Sequence, residues 1–142
     1  GLAEMSEQEL VFDALVKPRH LPELERMAMR HPDLSIVIDH AAKPDFADLA
    51  AWEAAMTRLA ALPNVTCKLS GLLTEAGGRD VAPVIGWLIE TFGAERLIWG
   101  SDWPVLNLAG SYADWLVRAK AAIPAKAHPA VFAANARRIY TL

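Results

Sequence analysis

Short apolar runs alternate with amphipathic stretches along the chain. The first run covers residues 10–16 and is rich in Val and Phe, which is typical of a buried strand. Apolar residues at 21, 24, 27 and 28 follow with the spacing of one helix face. The same order recurs after runs at 34–40, 65–70 and 96–100. The pattern therefore predicts four strand-then-helix units.

Turn and capping residues set the predicted limits of the later helices. The second helix is expected to begin near Asp45 and to end before Pro63. A loop around residues 77–78 leads into the third helix, and Gly93 is placed at its end. Ser111 is the predicted N-cap of the next helix, and a last helix is predicted from His128 to Tyr140.

The spacing of the strands favours a parallel sheet. Residues 11, 36, 65 and 97 lie near the four strand starts and are separated by 25, 29 and 32 residues, about the length of a βα unit. Two α/β architectures fit this rhythm: an open doubly wound sheet, or part of a (β/α)8 barrel. In both, functional groups collect at the carboxyl ends of the strands.

Composition excludes several classes of protein. A net charge of -3 without a basic stripe argues against nucleic-acid binding. The single cysteine, Cys67, cannot form an internal disulfide, and it is interpreted as a small buried residue rather than a nucleophile. No apolar run approaches the roughly 20 residues of a membrane span, and no signal peptide is recognised. We therefore expect no membrane partner and a cytoplasmic location.

Polar residues recur at all four strand ends. They are Asp13, then Asp39 and His40, then Lys68 and Ser70, then Ser101 and Asp102. Since an apolar strand gains nothing by ending in a charge unless that charge is solvated or paired, the set is a candidate site.

His40 and Asp102 are the two candidates for chemistry. His40 is a candidate metal ligand, general base or hydrogen-bond donor, against the alternative of a buried histidine bonded to backbone. The Asp102 carboxylate is a candidate to bind a metal or take a proton from water, against the alternative of a turn or cap. Lys68 is expected either to line the site or to pair with Asp13 or Asp39. Trp103 is predicted to wall the pocket.

Four segments together resemble the amidohydrolase-related family of TIM-barrel hydrolases, and its sugar-lactone and dicarboxylate-lactone branch in particular. The segments are Val11-Phe12-Asp13, Ile38-Asp39-His40 with Lys43-Pro44, Cys67-Lys68-Leu69-Ser70-Gly71 and Trp99-Gly100-Ser101-Asp102-Trp103-Pro104. The resemblance runs from about residue 10 to the end of the chain.

The resemblance implies that residues 1–142 form the C-terminal half of a (β/α)8 barrel, with the N-terminal half absent. It implies that Asp102 activates water to open a small-molecule lactone while His40 polarises the carbonyl or a metal. Asp13, Lys68, Ser70 and Trp103 are then substrate-binding residues. Members of the family use zinc or another divalent metal, held here by His40 and Asp102, or use none.

Two alternative functions remain open at this point. One is a metal-dependent decarboxylase of the same superfamily, which would use the same residues. The other is a non-catalytic oligomeric α/β module, since the His-x-His pair with which family members open has no match here. A half barrel leaves unpaired strand edges, so we expect a homo-oligomer or a separate N-terminal half to cover the open sheet.

Overall fold

A computed structural model describes all 142 residues, and its centre is a sheet of four parallel strands in the order β1-β2-β3-β4. The strands are β1 (Val11–Ala14), β2 (Ser35–Ile38), β3 (Val65–Leu69) and β4 (Leu97–Trp99). Each strand pairs with its neighbour in the sequence, as the predicted units require. The strands β1 and β4 are the two edges of the sheet.

Seven α-helices accompany the strands. They are α1 (Leu2–Glu7), α2 (Leu21–Arg30), α3 (Ala50–Ala60), α4 (Leu72–Ala76), α5 (Ala82–Phe92), α6 (Tyr112–Ala122) and α7 (Asn135–Ile139). A 3₁₀ turn at Ala125–Ala127 and a π-helical segment at Ala130–Ala134 precede α7. None of the helices combines the length and apolar character that crossing a membrane requires.

The two faces of the sheet differ in chemistry because successive strand residues point to opposite sides. One face packs on the helices and contributes buried apolar residues to a single core, among them Ile36, Ile38, Cys67, Leu69 and Leu97. The other face carries Asp13 beside Val37 and Lys68 beside Ile98. The charged residues of β1 and β3 therefore lie on the face that the helices do not cover.

Several predicted boundaries are wrong at their ends. Helix α3 begins at Ala50 rather than near Asp45, because the Asp45 carboxylate accepts the backbone N–H of Ala47 at 2.9 Å and holds a turn. A short helix, α4, occupies part of the stretch predicted as loop. The Ser111 cap is confirmed, since its hydroxyl accepts the Asp114 backbone N–H at 3.1 Å. The last helical stretch is confirmed, with a π-helical interruption.

Candidate functional site

The side chains of His40 and Asp102 meet at the carboxyl end of the sheet. His40 Nε2 lies 3.5 Å from Asp102 Oδ1, although the residues come from β-strand ends on β2 and β4 that are separated by β3. Their side chains are 19% and 13% exposed, so the pair is shielded but open to a small molecule. Electrostatic attraction is stronger in such a partly dry site than in water.

Both residues have left-handed backbone conformations. His40 has φ 53°, and the next three residues, Ala41, Ala42 and Lys43, remain in the same region. Asp102 has φ 60°. Non-glycine residues in this region are strained, and such strain is concentrated at functional sites because the surrounding structure must impose it. The predicted strand over 34–40 therefore ends early, at Ile38, and His40 sits on a tight turn.

Ser70 and Gly71 fix the orientation of the His40 imidazole. Ser70 is 1% exposed, and its hydroxyl lies 2.8 Å from His40 Nδ1. Gly71 approaches so closely that an added Cβ would stand 2.9 Å from the ring. When the Ser70 hydroxyl donates to Nδ1, the proton of the neutral imidazole is on Nε2 and faces Asp102. The structure thus shows Ser70 as the partner of His40, and its predicted contact with substrate remains a prediction.

Lys68 joins two carboxylates on the face of the sheet that the helices leave uncovered. Its Nζ lies 2.7 Å from Asp39 Oδ1 and 3.2 Å from Asp13 Oδ1. Burial opposes the charge of Lys68, but the nearby Asp39 carboxylate and the Tyr140 hydroxyl outweigh it and raise the pKa of Lys68. The predicted pairing of Lys68 with Asp13 or Asp39 is confirmed for both residues.

Tyr140 completes this cluster, and sequence reasoning missed it. Its hydroxyl donates to Asp13 Oδ1 at 2.5 Å, and its ring centroid lies 5.4 Å from Lys68 Nζ. Burial, followed by the hydrogen bond to Asp13, raises the pKa of Tyr140 to about 12. No local pattern links Tyr140 to Asp13, because 127 positions separate them.

Trp103 and an ion pair lie at the outer part of the site. Trp103 is 67% exposed, and its peptide bond to Pro104 is cis. The Nζ atom of Lys43 lies 3.1 Å from Glu75 Oε1, with both side chains about one third exposed. Lys43 belongs to the left-handed turn that carries His40, so this pair links the turn to α4. The predicted contact of Trp103 with substrate remains a prediction.

Cys67 is unsuited to nucleophilic chemistry. Its side chain is fully buried in the core, and burial, followed by the nearby Asp39 charge, raises the pKa of the thiol well above its usual value. The interpretation of Cys67 as a small buried residue is confirmed.

The spacing of His40 and Asp102 can be compared with that of two ligands on one metal ion. A tetrahedral zinc ion with bonds of about 2.0–2.1 Å holds its donor atoms about 3.3 Å apart, close to the separation of His40 Nε2 and Asp102 Oδ1. No group of three or more His, Cys, Asp or Glu side chains is arranged to hold a metal ion. Catalytic zinc takes three ligands from protein, so these two donors fit such a site and are one short of completing it.

The four parallel strands pair in sequence order and the helices cover one face of the sheet, which is the arrangement of a (β/α)8 barrel and not of a doubly wound sheet, whose strand order reverses. The chain belongs to the amidohydrolase family, since the family model described as Amidohydrolase matches residues 1–142. The predicted resemblance is therefore confirmed.

Named relatives and a solved structure agree with this assignment. An L-fucono-1,5-lactonase of Burkholderia ambifaria is 56% identical over 78% of this chain and 40% of the relative. An L-fucono-1,5-lactonase of Burkholderia multivorans is 38% identical over 100% of this chain and 55% of the relative. A crystal structure of an amidohydrolase from Burkholderia multivorans with bound zinc superposes with a TM-score of 0.92 and 36% identity, covering 99% of this chain and 56% of that one.

The chain thus spans about half the length of the relatives it matches. The predicted fold class, four βα units making half of a (β/α)8 barrel, is confirmed. The assignment of residues 1–142 to the C-terminal half stays a prediction.

Proposed function

We propose that this chain is part of a hydrolase that opens the ring of a sugar lactone. The observation that carries the proposal is the shielded His40 and Asp102 pair, whose facing atoms lie 3.5 Å apart at the carboxyl end of the sheet. The names of two relatives, both L-fucono-1,5-lactonases, support a lactone substrate. A lactone requires a base for water and a donor for the carbonyl oxygen, and this pair offers both.

The reaction follows from the roles of the two side chains. Asp102 accepts a proton from water as the water oxygen bonds to the lactone carbonyl carbon. The carbonyl oxygen becomes an oxyanion and accepts a hydrogen bond from His40 Nε2–H, the tautomer favoured when Ser70 donates to Nδ1. When the ring C–O bond breaks, its alkoxide takes the proton back from Asp102, giving a hydroxy acid and regenerating the carboxylate.

A divalent metal, if the complete protein uses one, would be held by His40 Nε2 and Asp102 together with at least one further ligand, and the imidazole proton would then be on Nδ1 and donated to the Ser70 hydroxyl. Bound there, a metal would act as a Lewis acid toward the carbonyl oxygen and lower the pKa of water. Zinc in the related amidohydrolase from Burkholderia multivorans supports zinc as the metal.

The remaining predicted residues are assigned to substrate contact. Lys68 and Asp13 lie on the uncovered face of the sheet, where hydroxyl groups of a sugar would find charged partners. Trp103, largely exposed, offers an apolar ring beside Asp102. Ser70 is buried, and it contributes through its hydrogen bond with His40.

We also propose that further polypeptide covers the uncovered face of the sheet. Relatives about twice as long support a second half of the barrel as that polypeptide. A second copy of this chain is the alternative, and the intact mass of the protein made from the native gene separates the two. A mass near 15.5 kDa would favour the second copy. The cytoplasmic location predicted from the sequence stays a prediction.

The test is the variant Asp102→Asn in the protein encoded by the complete gene, assayed for opening of L-fucono-1,5-lactone. Removing a general base costs about 10²–10⁴-fold in rate, so kcat should fall by at least about 100-fold. The control is Asp114→Asn, which changes an exposed aspartate paired with Arg118 on α6 and should leave kcat within about twofold.

Three outcomes would contradict the proposal. Full activity of the Asp102→Asn variant would remove Asp102 from the chemistry. Release of carbon dioxide from an acid substrate, without lactone opening, would identify a decarboxylase. A wild-type protein that acts on neither substrate class would favour a non-catalytic module.

A further inference from the structure

Two buried tryptophans hydrogen-bond to the backbone at the strand ends that carry the site. Trp52 in α3 donates its indole N–H to the carbonyl oxygen of Ala41 at 2.7 Å. Trp115 in α6 donates to the carbonyl oxygen of Gly100 at 2.8 Å. Both tryptophans are 1% exposed. Each bond thus runs from a helix in the core to the turn at the end of a strand.

The two carbonyls adjoin the candidate site residues. Ala41 follows His40, and Gly100 stands two positions before Asp102. Both His40 and Asp102 have the left-handed backbone that persists where surrounding contacts impose it. A tryptophan ring that is packed in the core has little rotational freedom. Its N–H therefore has a fixed position, and a hydrogen bond from it restrains the backbone of the turn.

Hydrogen bonds from tryptophan to a strand end are found only at the two strands that are followed by His40 and Asp102. Among the five tryptophans, Trp52 and Trp115 are the two whose indole nitrogens hydrogen-bond within the chain. Trp87 packs against Trp52 with ring centroids 5.0 Å apart. Trp99 stacks near Trp115 with centroids 6.4 Å apart, and its buried Nε1 has no partner. Four tryptophans therefore pack against another tryptophan, but only Trp52 and Trp115 also hydrogen-bond to a strand end.

We propose that Trp52 and Trp115 are positioning residues that hold His40 and Asp102 in register through the Ala41 and Gly100 carbonyls. The kinetic part of this inference rests on the proposed function. The geometric part concerns the orientation of His40 and does not depend on it.

Loss of either bond should lower kcat more than it changes KM. A buried carbonyl without a donor favours any movement of the turn that lets it reach water. Movement of the turn displaces the reacting side chain, and small displacements of reacting groups reduce rate strongly. We expect kcat to fall about tenfold and KM to stay within about twofold, the signature of a loss confined to the transition state.

The experiment compares four Trp→Phe variants of the protein encoded by the complete gene. Trp52→Phe and Trp115→Phe remove a bonded N–H, whereas their neighbours Trp87→Phe and Trp99→Phe remove an indole that bonds nothing in the chain. The first two should lose about tenfold in kcat, and the second two should stay within about twofold. Equal losses in all four variants would show that packing is responsible and would overturn the proposal.

An isostere separates the hydrogen bond from the shape of the ring. Replacement of Trp52 or Trp115 by β-(3-benzothienyl)alanine keeps the two-ring outline and replaces N–H by sulfur. The same tenfold loss is expected in this folded variant. If the isostere leaves kcat unchanged, or if it prevents folding, the bond is not a positioning device and the proposal fails.

An NMR measurement tests the geometry without any assay of activity. The imidazole ¹⁵N shifts of His40, assigned by their loss in His40→Gln, report its tautomer and its bond to Ser70. Trp52→Phe should change these shifts directly, and Trp115→Phe should change them through Asp102, which lies 3.5 Å away. Unchanged shifts in both variants would overturn the proposal even in a protein that opens no lactone.

Discussion

Gly71→Ala is the change that most directly tests how His40 is held. Gly71 has φ +67°, and a Cβ added there would lie 2.9 Å from Cγ and Nδ1 of His40. Ordinary contacts of a Cβ begin at 3.4 Å, so the imidazole would have to move by about 0.5 Å. That movement would lengthen its bond to the Ser70 hydroxyl, now 2.8 Å from Nδ1.

The expected magnitudes follow from this geometry. A misplacement of about 1 Å costs about 100-fold in rate, so about 0.5 Å should cost about tenfold in kcat. A left-handed alanine costs about 1–2 kcal/mol, and overpacking adds about 1–3 kcal/mol. The free energy of unfolding should therefore fall by about 2–5 kcal/mol.

Two other glycines give matched controls, each measured by lactone opening and by urea unfolding of the protein from the complete gene. Gly78 has φ +86° with no atom near its added Cβ, so Gly78→Ala should lose about 1–2 kcal/mol of stability without a loss of kcat. Gly86 lies within α5 with open space around it, so Gly86→Ala should gain about 0.5–1 kcal/mol. A Gly71→Ala protein that is folded and within twofold of wild-type kcat would refute the reasoning.

Two further predictions concern the cluster around Lys68. Lys68→Met leaves Asp13 and Asp39 without their shared cation, so the free energy of unfolding in urea at pH 7 should fall by about 2 kcal/mol. An unchanged urea midpoint would contradict this. The raised pKa of Tyr140, about 12, means that its stabilising contribution is present below about pH 10 and is lost as pH rises toward 12. Across that range the wild type should lose stability relative to Tyr140→Phe. A stability difference between the two proteins that does not change with pH would contradict this prediction.

Local pattern was sufficient to predict the order of elements and the strand ends that carry polar groups. Apolar runs and their spacing indicated four parallel βα units, and the structure has them. The pattern could not show that the strand containing 34–40 stops at Ile38, because the left-handed turn after it is imposed by contacts of His40 and Ala41 with distant residues. Helix α4 was missed because its five residues are too few for a periodic signal.

The candidate site was predicted as a set of residues and not as an arrangement. His40, Asp102, Lys68 and Asp13 were all identified from their places at or near strand ends. Tyr140 was not, because it is 127 positions away from Asp13 in the sequence. Chain folding decided which members of the set are neighbours.

The sequence by itself determined the class of fold, since hydrophobic periodicity is a property of neighbouring residues and dictates which segments become strands and helices. It also determined which side chains stand where strands end. The tertiary structure alone decided that His40 meets Asp102 and Ser70, that Lys68 joins two carboxylates, and that Trp52 and Trp115 bond to the turns. The residues in each of those contacts are separated by between 11 and 62 positions in the sequence. Whether such residues meet in space depends on how the helices and strands pack and not on any local pattern.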